Sequence, residues 1–153
     1  MKRLLKFYKY AFAWESYLLL ARTLQAARLV RRLLPENTPS PRFAEALGVV
    51  EKLYLPPQPG WRISSAEKVV RFAGFVVNVP VEWGKCVQQS LIAYRLLNGY
   101  GIPVSICFGV SRDESSTDGH AWVARIDEPE QAIAEAFDPR ERFKVVYASP
   151  QPN

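Results

Sequence analysis

The stretch CVQQSLIAYRLLNGYGIPVSICFGV, Cys86 to Val110, changes its apolar period partway along, and that change sets the fold class. Its first half places Val87, Leu91, Tyr94 and Leu97 at helical spacing, and Gly99 and Gly101 end the helix after Asn98. From Pro103 the apolar residues become near-continuous, Val104-Ser105-Ile106-Cys107-Phe108-Gly109-Val110, which predicts a strand. A polar loop, Ser111 to Asp118, leads to a second predicted strand, Gly119 to Ile126. Upstream everything reads as helix. Leu5, Tyr8, Phe12, Leu19, Thr23, Ala26, Val30 and Leu33 recur on one face of residues 4–34, and Pro35 stops that run. Ser40-Pro41 opens a short helix ending against Gly48, and Ser64-Ser65-Ala66-Glu67 is a capping box for a helix to about Val77. The proline-rich Leu55–Gly60 segment between them is a stiff connection, not a domain boundary. The reading is α+β: helices first, then a small antiparallel sheet. One domain is expected over residues 1–153, with a helical part at 1–78 and a core bearing the antiparallel sheet at 79–153.

Composition narrows the function. A chain of 153 residues with 48% apolar content can bury a core without disulfide or metal staples. Two cysteines and one histidine allow no zinc-finger spacing and no disulfide framework, so neither metal nor cofactor is expected. The opening MKRLLKFYKYAF lacks a signal-peptide pattern. The longest apolar run, Tyr17 to Ala21, is five residues, against the ~20 that a membrane-spanning helix needs. The expectation is a cytoplasmic protein with no transmembrane segment. The net charge of +5 is uneven: residues 1–34 hold eight basic side chains and one acid, Glu15. Such a segment suits an acidic partner or an anionic surface, or is simply a solvated helix face. No nucleic-acid motif accompanies it.

Cys86 falls at a predicted helix N-terminus, where free N–H groups and the dipole favour a thiolate and can hold an oxyanion. A small buried hydrophobe is the alternative, and Cys107, mid-strand, reads as that. His120 is the only imidazole available as a base. If Gly119–Ile126 forms a hairpin with Ala132–Asp138 around Pro129, His120 stands directly opposite Asp138, whose carboxylate would orient the ring. Residues 129–136 also have good helix propensity, and Asp118 is the fallback orienter. Trp83 could wall a substrate cleft, and Trp122 shares the face of His120 in the hairpin register. Gln88 and Gln89 could supply oxyanion-hole amides.

Taken in order, Val81-Glu82-Trp83-Gly84-Lys85-Cys86-Val87-Gln88-Gln89-Ser90-Leu91, Leu96-Leu97-Asn98-Gly99-Tyr100-Gly101-Ile102-Pro103, Phe108-Gly109-Val110 and His120-Ala121-Trp122-Val123 resemble the leader peptidase of lasso-peptide biosynthesis. The resemblance implies a transglutaminase-like, papain-related core and a Cys86-His120-Asp138 peptidase. It further implies removal of the leader from a ribosomal precursor peptide, so that a separate cyclase can close the macrolactam. The chain is similar to the stand-alone peptidase of a split system, which implies a discrete leader-recognition protein as partner. A transglutaminase-fold hydrolase or acyltransferase on another substrate is the rival enzyme reading. A non-catalytic precursor-binding scaffold is the rival from another class.

Overall fold

The computed structural model describes residues 14–34, 43–77, 85–113, 115 and 118–149. Among the described residues four helices come first, α1 (Trp14–Leu33), α2 (Phe43–Leu53), α3 (Ala66–Val77) and α4 (Lys85–Gly99). Strands β1 (Val104–Ser111) and β2 (Gly119–Arg125) follow, then a one-turn helix α5 (Pro139–Arg142) and strand β3 (Phe143–Ser149). The sheet is antiparallel with order β2-β1-β3. This is the expected α+β arrangement. Among the described residues no helix is long and apolar enough to cross a membrane.

α4 is the central support, packed against α1, α3 and β2. Leu91, Ile92, Leu96 and Leu97 are buried on it and join Leu19, Val30, Val69, Val104 and Ile106 in one apolar core. Its end is fixed by backbone chemistry. Ile102 donates to the Leu97 carbonyl and Gly101 to that of Asn98, each at 2.9 Å, and Gly101 takes φ +76°, which a side chain would resist. The proline-rich connection lies against the same end, with Gln58 N–H donating to Gly99 O at 2.8 Å.

Three local expectations change. α2 runs through Gly48 to Leu53, because burying Val49, Val50 and Leu53 outweighs the cost of about 1 kcal/mol for a helical glycine. The cap of α3 is Ser65, which accepts the Lys68 N–H, while Ser64 donates to Glu15 on α1. The hairpin of Gly119–Ile126 with Ala132–Asp138 does not form. β2 pairs with β1 instead, placing Gly109 opposite His120, and the backbone of the 126–138 segment is joined to β2 by an isolated Ala124–Ala132 bridge and an Ile133 N–H to Val123 O bond. The other neighbour of β1 is β3, a strand that the period reading did not find.

Candidate active site

Cys86 is the second residue of α4, and its sulfur meets β2 across the helix–sheet junction. Burial alone pushes this thiol up. A hydrogen bond from His120, the Ala121 backbone N–H, the nearby imidazole charge and the Val87 N–H together outweigh burial and hold the thiol below its ordinary range. Cys107 has no such donors, and burial pushes it up. Two thiols in one chain are thus driven in opposite directions by their surroundings.

His120 is at the start of β2 and half-buried. Its ring is raised to about 9, first by the hydrogen bond with Cys86 and then by Glu135, against the opposing effect of burial. Glu135 Oε1 lies 3.3 Å from His120 Nε2, a nitrogen sealed from solvent. That approach is an ion-pair contact and falls short of a well-aligned hydrogen bond, since Nε2 otherwise has no acceptor. Nε2 therefore faces the carboxylate. Both shifts run the same way, toward a thiolate–imidazolium pair.

Aromatic rings fix the imidazole in place. Phe143, Trp122 and Phe137 lie near-parallel to it with centroids at 5.2, 5.9 and 6.3 Å. Room for this comes from Gly109, where an added Cβ would fall 2.8 Å from Phe143 Cβ and 3.0 Å from the Trp122 ring. Trp122 is only 1% exposed, so it backs the imidazole and offers no open face to a substrate.

The 127–138 loop brings Glu135 to the ring by an unusual route. Ile133 is buried and anchored to β2, and the next residue, Ala134, takes φ +60°, the left-handed region that alanine rarely adopts. The reversal there turns Glu135 back toward His120. Asp138, expected opposite His120, is displaced by the loss of the hairpin register. Its carboxylate is exposed and caps α5 instead, accepting the Arg140 N–H at 3.0 Å. Glu135 is the group that the sequence reading missed. The available signal was its standing as the one charge in the apolar run Ala132-Ile133-Ala134-Glu135-Ala136-Phe137.

The remaining expected residues scatter. Gln89 turns to α3, where its amide donates to Val70 O at 3.3 Å and packs on Gly74. Gln88 is buried, two residues from Cys86 and so on a different helix face. Asp118 lies exposed beyond the start of β2. Trp83 is outside the described residues. A hollow of about 320 Å³ lined by Glu130, Gln131, Ala132, Glu135, Ala136, Phe137 and Asp138 adjoins the carboxylate side of the dyad. Among the described residues no group of three or more His, Cys, Asp or Glu could hold a metal.

A nucleophile at a helix start, a base on the facing strand and a carboxylate behind the base can carry out acyl transfer through a thioester. The sequence matches the family model described as the transglutaminase-like superfamily over residues 17–148, from α1 into β3. No curated protein and no solved structure matches.

Proposed function

The chain belongs to the transglutaminase-like superfamily, and from that premise we propose that it is a cysteine peptidase that cuts the leader from a lasso-peptide precursor. The observation that carries the chemistry is the Cys86–His120 pair: a lowered thiol and a raised imidazole, each the other's hydrogen-bond partner. The ordered motifs from Val81 to Val123 support the leader-peptidase reading over other acyl transfers.

In this reading Cys86 is the nucleophile, His120 the acid and base, and Glu135 the positioning group in the place first assigned to Asp138. The thiolate attacks the scissile carbonyl carbon, and the carbonyl oxygen takes up the negative charge. The N–H groups of Val87 and Ala121, already directed at the sulfur, lie beside that oxygen and stabilise it. His120 gives its proton to the leaving amine as the C–N bond breaks, leaving a thioester. A water molecule, deprotonated by His120, then attacks the thioester and expels the Cys86 thiolate; the water's first proton stays on the ring, and the product acid gives its own proton to solvent as it leaves as the carboxylate. Glu135 keeps the ring oriented and favours its charged form throughout. A discrete recognition protein presents the leader, a separate cyclase takes the freed core peptide, and the reaction occurs in the cytoplasm without metal or cofactor.

Incubation with precursor and recognition protein, read by mass spectrometry, tests this. Wild-type protein should release an intact leader, and Cys86→Ala, folded by circular dichroism, should release none. Equal cleavage by that variant removes Cys86 from the mechanism. No cleavage by the wild type, with the precursor still bound, makes the chain a scaffold.

A further inference from the structure

α1 buries one side and leaves a chemically consistent stripe on the other. Ser16, Leu19, Thr23, Ala26, Ala27 and Val30 face the core. Opposite them, Trp14, Tyr17 and Leu24 are 75%, 57% and 42% exposed, and Arg28, Arg31 and Arg32 continue the same row. At 1.5 Å rise per residue the row is roughly 27 Å long. It contains no acid. Glu15 is turned aside to Lys68 and Ser64, and Arg22 is withdrawn, with its guanidinium 3.9 Å over the Trp61 ring and bonded to the Tyr100 hydroxyl. The sequence before α1 has the same character: residues 1–13 add Lys2, Arg3, Lys6 and Lys9, four aromatic residues and no acid.

We propose that this outer face of α1 rests on an anionic lipid surface. Trp and Tyr favour the headgroup layer, where an apolar ring and a polar edge are both satisfied, and arginine is drawn to the negative surface potential. An acidic protein groove fits less well. Here the cations continue the apolar row and do not flank it, so a groove would have to switch from apolar to acidic halfway along one line. A headgroup layer presents both environments along its whole length. The proposal is independent of the peptidase reading, because none of these residues touches Cys86 or His120.

Flotation of the full chain with vesicles tests it. Binding is expected to mixed phosphatidylcholine–phosphatidylglycerol vesicles at low salt, and not to phosphatidylcholine alone. Replacing all three arginines (Arg28→Gln, Arg31→Gln and Arg32→Gln) should cut partitioning by roughly a hundredfold, from about fivefold per charge. Trp14→Ala should weaken binding and remove the blue shift of tryptophan emission on vesicle addition. Unchanged circular dichroism and Cys86 labelling in these variants would show that the fold is intact. Absence of binding to the anionic vesicles overturns the proposal, as does binding that survives both the arginine and Trp14 changes. Capture of soluble polyglutamate in place of vesicles also overturns it and makes the face a protein-docking surface.

Discussion

The surroundings of Cys86 and His120 favour moving the proton from sulfur to ring before any substrate arrives. With the thiol held low and the imidazole raised to about 9, the reactive ion pair occupies the interval between the two. The pH profile of kcat/KM should therefore extend below the ordinary thiol range of about 8.5 and fall only above about 9, as His120 loses its proton. A rate that climbs through the ordinary thiol range would contradict this. Glu135→Gln removes the charge behind the ring, so the alkaline limb should move to lower pH and the rate drop by about tenfold or more; Glu135→Asp should recover part of it. Asp138→Asn should leave turnover within about twofold, and Asp138→Ala should cost about 1 kcal/mol of stability through the lost cap. A larger kinetic effect at Asp138 than at Glu135 would reverse the assignment. The pairing of the thiol with the imidazole was legible because a chain with one histidine has one imidazole to offer. Glu135 was not, since its approach depends on a backbone reversal at an alanine, which no propensity announces.

The elements around the dyad act through space that is left open or filled. β1 passes beneath His120 with no side chain at Gly109, and the Trp122 and Phe143 side chains occupy that volume. Gly109→Ala would force those side chains to shift, with an expected loss of about 1–3 kcal/mol in chemical denaturation and slower thiol labelling. Wild-type stability in that variant would show that the stack tolerates displacement. Ala134 presents the opposite case. Glycine adopts φ +60° freely, so Ala134→Gly should not destabilise the protein, and relief of the strained backbone should raise stability by up to about 1 kcal/mol. The four helices and first two strands were legible because their apolar periods match their burial. The hairpin failed because alternation at Ala132, Ala134 and Ala136 gave a register without strand-forming side chains to hold it. β3 escaped notice because Lys144, Val145 and Val146 are exposed there, so core burial left no alternating pattern along that edge.

Across the whole molecule, α4 joins the two halves. Its buried face belongs to the helical layer and the sheet alike, while its first turn delivers Cys86 to the edge strand that carries His120. Helix and strand periods reveal each half separately. What they omit is the join, because the order β2-β1-β3 rests in part on the β1–β3 pairing between residues distant in sequence. The central claim is that this join stores a thiolate at Cys86, and its most direct measurement is the ultraviolet thiolate absorbance titrated in a Cys107→Ala protein, where Cys86 is the only sulfhydryl. The thiolate signal is predicted to persist below the ordinary thiol range and to retreat to that range in the additional His120→Ala variant. A titration at or above about 8.5 that His120→Ala leaves unmoved would contradict the account.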